Sequence, residues 1–167
     1  MSEDEPRWLN ASELDAWKVF SAMLIKLPAA LDAQLRNDAG LNQFEYLVLA
    51  GLSEAPARTL RMSELAVLAN GSLSRLSHVV KRLEGYGYVR REPCPVDGRY
   101  TNALLTEEGY RKLADSAPGH VRHVRSLVVD SLEPEQIEQL RLISLRILRV
   151  MDPDLVGDSG VAWPERR

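Results

Sequence analysis

The segment 72–85 combines basic and hydroxyl side chains with an apolar stripe at helical spacing. The apolar residues recur three or four positions apart, as one face of a helix requires, at Leu73, Leu76, Val79, Val80 and Leu83. The other face carries hydrogen-bond donors, and these are Ser74, Arg75, Ser77, His78, Lys81 and Arg82. Donors of this kind contact the phosphates and base edges of duplex DNA. A solvated helix face has a similar composition, so the surrounding sequence has to distinguish the two.

Charge is unevenly distributed around this segment. The 167 residues carry a net charge of -3, but residues 58–100 hold eight basic and four acidic side chains, which gives that stretch +4 and the remainder -7. The basic residues are Arg58, Arg61, Arg75, Lys81, Arg82, Arg90, Arg91 and Arg99. A basic centre between acidic flanks is the pattern expected of a segment that meets a polyanion.

Two histidines and one cysteine are the other candidates for site chemistry. His120 and His123 lie three positions apart, a spacing that can place both on one metal ion, but no cysteine or acidic ligand is adjacent to them. The nearest carboxylate is Asp115, so an exposed pair is favoured and no metal site is expected. Cys94 lies between two prolines, where a loop residue is favoured over a redox role. As the single cysteine, it excludes an intramolecular disulfide.

No enzyme is predicted from this sequence. It contains no glycine-rich phosphate loop, no paired-histidine zinc motif and no recognisable nucleophile–base set. Its length and its 45% apolar content suit one domain with a full core. Because no apolar stretch is long enough for a membrane span and no export signal is visible, we expect a cytoplasmic protein without a cofactor.

Amphipathic patterns place the segment within a mainly helical chain. Residues 13–36 predict a long helix, with a kink or a junction of two helices at Pro28, and a second helix spans about 42–53. Residues 61–69 predict a short helix that ends at Asn70 and Gly71, immediately before the helix at 72–85. Two short helices joined by a glycine-containing turn predict a helix-turn-helix.

The sequence that follows predicts a β-hairpin and two further helices. Residues 89–92 and 100–105 are strand-like and flank a turn with prolines and a glycine, so residues 88–106 form a two-stranded wing. Thr106 caps the next helix, which we expect to be interrupted or bent at Pro118 and Gly119. Pro134 opens the last helix, and its apolar residues cover more than one face. That width favours contact with a partner subunit.

This order of elements resembles the MarR family of bacterial transcription regulators over residues 13–151. Three pieces of sequence carry the resemblance. They are residues 62–66 (MSELA), residues 79–89 (VVKRLEGYGYV), and residues 97–99 (DGR) followed by 104–109 (LLTEEG). The most specific of these is the Asp-x-Arg tripeptide, whose arginine precedes the threonine of Thr-x-x-Gly by seven residues.

The resemblance implies a mainly α fold with a small β-wing, that is, a winged helix-turn-helix with N- and C-terminal dimerisation helices. It divides the chain into an N-terminal tail (1–12), an N-terminal dimerisation helix region (13–36), a winged helix-turn-helix DNA-binding domain (42–110), C-terminal dimerisation helices (111–151) and a flexible tail (152–167).

The resemblance also implies a homodimer that binds pseudo-palindromic double-stranded DNA and regulates transcription, with repression as the expected mode. The implied DNA contacts are Ser74, Arg75, Ser77, His78, Lys81, Arg82, Arg90, Arg91, Asp97 and Arg99. Recognition helix 72–85 would enter the major groove, where Arg75 suits a guanine edge, while Lys81 and Arg82 suit the backbone. Arg99 would enter the minor groove, oriented by an ion pair with Asp97.

Two questions stay open at this point. Many family members bind small phenolic or aromatic ligands in a cleft between the winged domain and the dimer helices, and Trp17, Met23 and Tyr46 would line that cleft unless they belong to the core. The alternative function is a winged-helix protein-interaction module without DNA binding. The basic outer face of residues 74–82 argues against this alternative.

Overall fold

The computed structural model of the chain describes residues 6–157 and 160–161, and helices predominate in it. The α-helices are α1 (Ala11–Ala39), α2 (Gln43–Glu54), α3 (Met62–Leu68), α4 (Leu73–Gly85), α5 (Glu107–Leu127) and α6 (Pro134–Met151). The strands β1 (Thr59–Arg61), β2 (Val89–Pro93) and β3 (Thr101–Leu105) form an antiparallel sheet in the order β1-β3-β2. The predicted fold class is therefore confirmed. None of the described helices is long and apolar enough to cross a membrane.

The core lies where α2, α3 and α4 meet the sheet. Its fully buried side chains are Val48, Leu49, Leu52, Leu65, Leu76, Val80, Leu83 and Ala103. On α4 the buried positions are three or four residues apart, as the apolar stripe predicts. Leu73 is the exception, because it lies in the first turn of α4 and is 55% exposed. Its assignment to the buried stripe is wrong.

Both helices that contain an internal proline are continuous. α1 passes through Pro28 as one helix of 29 residues, so a junction of two helices is wrong there. The backbone groups at both ends of α1 are hydrogen-bonded. A capping box at Asn10 does this at the start, and at the end Gly40, in the left-handed conformation, donates its N–H to Arg36 O at 3.1 Å. α5 likewise passes through Pro118, so the expected interruption is wrong. Each proline removes a single backbone donor on an exposed surface, where water can bond the freed carbonyl.

Two short features were not predicted. Strand β1 has three residues and pairs with β3, so the wing hairpin is part of a three-stranded sheet. In the C-terminal segment, a 3-10 turn at Pro153–Leu155 precedes a short ladder between Val156–Gly157 and Gly160–Val161. The rest of the predicted tail 152–167, and residues 1–5 of the predicted N-terminal tail, lie outside the described residues. α1 begins at Ala11, two residues before its predicted start.

The surface of α6 is apolar and unburied within the single chain. No residue of α6 is buried, and large apolar side chains such as Leu142, Ile143 and Val150 are more than half exposed. The first half of α1 has the same character, with Trp17 and Val19 exposed. Contiguous apolar surface of this extent marks an interaction face.

Thr106 joins the end of α4, the wing and α5 at one point. Its hydroxyl donates to Gly87 O at 2.6 Å and accepts from Gly109 N at 3.0 Å, while its backbone N–H donates to Tyr88 O at 3.0 Å. Gly109 is buried in this junction, and a Cβ added there would lie 2.1 Å from Tyr88 O. Only glycine fits the first turn of α5 at this position.

We expect Gly109→Ala to destabilise the protein by about 1–3 kcal/mol, because the wing backbone has to move away from α5. The control is Gly119→Ala in the same helix, where the nearest atom to an added Cβ is 3.6 Å away. That variant should gain about 0.5–1 kcal/mol from the removal of glycine entropy. Urea denaturation at matched protein concentration measures both, and equal effects of the two substitutions would contradict the packing argument.

Candidate nucleic-acid interface

Helix α4 presents its hydrogen-bonding side chains on the side opposite the core. It begins after Ser72, whose hydroxyl accepts from Arg75 N at 3.2 Å and caps the helix. Because Leu76, Val80 and Leu83 are buried, the 100° step of an α-helix turns other positions outward. Ser74, His78 and Lys81 are the central residues of that exposed face.

One edge of α4 forms a groove with the wing. This cavity of roughly 290 Å³ is lined by Arg61, Met62, Ser63, Leu73, Ser77, Arg91, Arg99, Tyr100 and Thr101. Three of these residues are arginines, so the groove concentrates positive charge beside Ser77. Arg61 and Tyr100 were not among the predicted contacts, and they pack together with the guanidinium 4.8 Å from the ring centroid. Arg61 belongs to the basic stretch in the sequence, but its place here depends on β1, which the sequence did not predict.

The other edge of α4 packs on α2 through two arginines. The guanidinium of Arg75 lies 4.3 Å from the ring centroid of Phe44. Arg82 Nε donates to Glu45 Oε1 at 2.6 Å. Phe44 and Glu45 are neighbours in the first turn of α2, so adjacent residues there contact both arginines of this edge.

The wing is joined to α4 by a further ion pair. Arg91 of β2 donates from its backbone N–H to Glu84 Oε1 at 2.9 Å and from Nε to Glu84 Oε2 at 2.8 Å. Arg90 points away from this contact, with a longer pair to Glu92 at 3.8 Å. Arg90 and Arg91, two of the implied DNA contacts, therefore differ, since Arg91 already holds a carboxylate and Arg90 is largely exposed.

Arg99 and Asp97 meet at the tip of the wing. Asp97 Oδ1 accepts from the backbone N–H of Arg99 at 3.1 Å, and Oδ2 accepts from Nη2 at 2.6 Å. These bonds lower the pKa of Asp97 below its usual value, and the carboxylate raises the pKa of Arg99. Both groups are therefore charged at neutral pH. The Arg99 side chain remains 84% exposed, so it is oriented and yet accessible.

Several proteins of known structure or sequence are similar to this chain. Sco3205 from Streptomyces coelicolor, a MarR family transcriptional regulator crystallised in complex with DNA, is 45% identical with a TM-score of 0.82, over 99% of this chain and 100% of that chain. The chain belongs to the MarR family. The MarR family model matches residues 41–101, which include every predicted DNA contact.

Two further relatives support membership of the MarR family of transcriptional regulators. AbsC, also a MarR family transcriptional regulator from Streptomyces coelicolor, is 36% identical with a TM-score of 0.84, covering 89% of this chain and all of that chain. MhqR from Bacillus subtilis, an HTH-type transcriptional regulator, is 32% identical over 100 residues. That alignment spans 59% of this chain and 66% of MhqR.

A second cavity in this MarR-family chain lies between α1, α2 and α4. It measures roughly 610 Å³ and is lined by Pro28, Ala29, Asp32, Arg36, Asn42, Gln43, Phe44, Leu47, Ala69, Asn70, Arg75 and Val79. Trp17, Met23 and Tyr46 do not line it. Trp17 and Met23 are exposed, and Tyr46 packs on His120 with the ring centroids 4.5 Å apart. The residues proposed from the sequence for a ligand cleft are therefore not those of this cavity.

The histidine pair lies at the contact of α5 with α1 and α2, away from α4 and the wing. His120 Nδ1 is 3.2 Å from Gln34 Oε1 of α1, and His123 is one turn further along α5. Within residues 6–157, no group of three or more histidine, cysteine, aspartate or glutamate side chains could hold a metal ion. Burial, and then the charge of His123, lower the pKa of His120.

Cys94 is buried at the base of the wing turn. Its backbone N–H donates to Tyr100 O at 2.9 Å, and although Cys94 is a loop residue, as predicted, its side chain is buried. Hydrogen bonds from the backbone N–H groups of Asp97 and Val96, with the nearby charge of Arg61, lower the pKa of the Cys94 thiol. Its part in the structure is to anchor the turn that carries Arg99.

We expect His120 to make the protein less stable in mild acid. Because its pKa is lower in the folded chain than the ordinary 6.5, the unfolded chain binds the proton more readily. Stability is therefore unaffected above about pH 6.5 and falls as the pH drops below that value. Urea denaturation between pH 7.5 and 5.5 should show a smaller loss for His120→Gln than for the wild type. His78→Gln on exposed α4 is the control, and a loss that is identical in all three proteins would contradict this origin.

Proposed function

We propose that the chain acts as a dimeric, sequence-specific DNA-binding repressor. The observation that carries this proposal is the arrangement of α4 and the wing, which place polar and cationic side chains on one side of a helix held by its apolar stripe. The exposed face of α4 fits a major groove, and the wing tip reaches the adjacent minor groove. That Sco3205, at 45% identity, was crystallised in complex with DNA supports DNA binding by this chain.

The predicted contacts of α4 and the wing divide into three groups by what already holds them. Ser74, Ser77, His78 and Lys81 make no ion pair in the described residues and are proposed to contact bases and phosphates directly. Arg90 and Arg99 reach outward, to a phosphate and to the minor groove. Arg75, Arg82 and Arg91 are proposed to contact DNA with the part of the guanidinium that Phe44, Glu45 and Glu84 leave free.

The exposed apolar surfaces of α1 and α6 support a homodimer. Covering them with a second copy removes apolar area from water and places two α4 helices on one molecule. Two-fold symmetry then requires a pseudo-palindromic site, with half-sites about 34 Å or one helical turn apart.

A small phenolic or aromatic effector is proposed for the roughly 610 Å³ cavity between α1, α2 and α4. Its volume suits a small molecule, and its lining combines Phe44, Leu47 and Val79 with charged groups. Because Arg75 lies in the wall, an occupant there would change the surroundings of a predicted DNA contact. This would connect ligand binding to release from DNA.

We expect Arg99→Ala to weaken specific binding to DNA by about 1–3 kcal/mol and to reduce the slope of log K against log salt by about one. Fluorescence anisotropy across a salt series measures both quantities. The duplexes are taken from the DNA upstream of the protein's own gene or are sites selected from random DNA. The control is Arg111→Ala, because Arg111 also pairs with a carboxylate, Glu108, but on α5 outside the groove. Equal affinity of the Arg99 and Arg111 variants would remove the wing tip from the mechanism. If the wild type bound no DNA, the protein-interaction module would become the better interpretation.

Ile143→Glu is expected to dissociate the dimer, because it places a charge on the apolar surface of α6. Sedimentation velocity should show a wild-type dimer and a variant monomer. Val67→Glu is the control, because Val67 is 69% exposed on α3, away from α1 and α6. A wild-type monomer, or a variant that stays dimeric, would count against this interface.

A further inference from the structure

Glu45 is the one charged side chain that is buried within the part of the chain described, with 3% of its surface exposed. It lies in the first turn of α2. A buried carboxylate is costly unless it is paired and its oxygens accept hydrogen bonds. The contacts of Glu45 therefore show what the fold gains by keeping it.

The two carboxylate oxygens of Glu45 serve two different helices. Oε2 accepts from Asn42 N at 2.7 Å, and Asn42 Oδ1 accepts from Glu45 N at 2.8 Å, which completes a capping box at the start of α2. Oε1 accepts from Arg82 Nε at 2.6 Å. The carboxylate thus ties the N-terminus of α2 to the last turns of α4.

Arg82 differs from an arginine whose charge is fully available for a phosphate. Its charge is neutralised by a carboxylate that has 4% of its side-chain surface exposed, while about half of the Arg82 side chain remains accessible. Seven residues earlier on the same edge of α4, Arg75 stacks on Phe44. Since α4 is one rigid helix, two contacts two turns apart determine how it is rotated about its axis. That rotation decides which way Ser74, Ser77 and His78 point.

We propose that Glu45 is a positioning residue for DNA recognition, acting through Arg82 to set the orientation of α4. This role rests on the proposed DNA-binding function. It assigns to Arg82 an anchoring duty on α2 in addition to any phosphate contact. It also assigns a part in sequence selection to a residue that does not lie on the DNA-facing surface.

The substitution Glu45→Gln gives a test in which two explanations predict opposite signs. It removes a negative charge from a protein that binds a polyanion, so electrostatics alone predicts tighter binding to any duplex. Loss of positioning predicts about tenfold weaker binding to the specific site, the effect of one lost base contact, with non-specific binding unchanged or tighter. Anisotropy with a selected site and a scrambled duplex measures the ratio of the two affinities. A fall in that ratio supports positioning, whereas an unchanged or higher ratio overturns it.

The salt dependence of binding separates anchoring from phosphate contact at Arg82. Loss of a phosphate contact at Arg82 reduces the slope of log K against log salt by about 0.9 and weakens specific and non-specific binding alike. If Arg82 also anchors α4 through Glu45, Arg82→Gln should in addition lower the ratio of specific to non-specific affinity, and an unchanged ratio would overturn the proposal. In the double variant with Glu45→Gln, the two effects should be less than multiplicative, because both remove the same contact. Full independence of the two substitutions would overturn the proposal.

Two further variants guard against misfolding and general charge effects. Glu45→Asp keeps the charge and shortens the side chain by one methylene, so a loss of specificity without a change in net charge reports geometry alone. If Glu45→Gln does not fold by circular dichroism, this variant carries the test, and wild-type specificity in it overturns the proposal. Glu54→Gln, in the last turn of the same helix, removes an equal charge and should leave specificity unchanged. Failure of the wild type to bind any DNA would overturn the proposed function itself, which distinguishes it from failure of the Glu45 role alone.

Discussion

Burial of Leu76, Val80 and Leu83 holds α4 in the core and decides which side of the helix faces outward, and the contacts of Arg75 and Arg82 with α2 then set its final rotation. Three fully buried residues fix a narrow strip, and the remaining surface of the helix is left for the solvent, the wing and α2. A wider apolar face would bury more of the helix together with its hydrogen-bond donors. A narrower one would leave the helix with too few packing contacts to the core. The exposed polar face of α4 is therefore a consequence of core packing.

Carboxylates then orient the arginines that surround this helix. Glu45, Glu84 and Asp97 each bind one arginine, through short and mostly charge-assisted contacts. A long, flexible cation loses much rotamer freedom when it binds a partner, and a side chain that is already held loses less. These three carboxylates, two of which lie within the basic stretch 58–100, thus lower the ordering cost of the arginines, although they reduce the net charge of the surface.

The sequence predicted the parts of this arrangement that depend on local chemistry. Helical periodicity located α4, and the caps at Ser72 and Thr106 marked where helices begin. β1 was missed because three residues carry no periodic signal, and its pairing is decided by a strand about forty positions later. The partner of Arg82 could not be predicted for the same reason, since Glu45 is 37 residues away. At Pro28 and Pro118 the sequence predicted breaks that the structure does not have. An internal proline does not end a helix when the contacts of the remaining residues keep the helix in place.

The junction at Thr106 makes the wing a lever with its pivot at the start of α5. Strand β2 extends five residues from that junction, which is roughly 17 Å at about 3.3 Å per residue. A tilt of about 5° at the pivot would then displace the far end of the strand by about 1.5 Å, the scale of the helix shifts seen in switching proteins. Because a buried Gly109 leaves no slack between α5 and the backbone of Tyr88, such a tilt passes to the wing undamped. A small rotation of the long helices would in this way be amplified into a larger displacement at the far end of the wing.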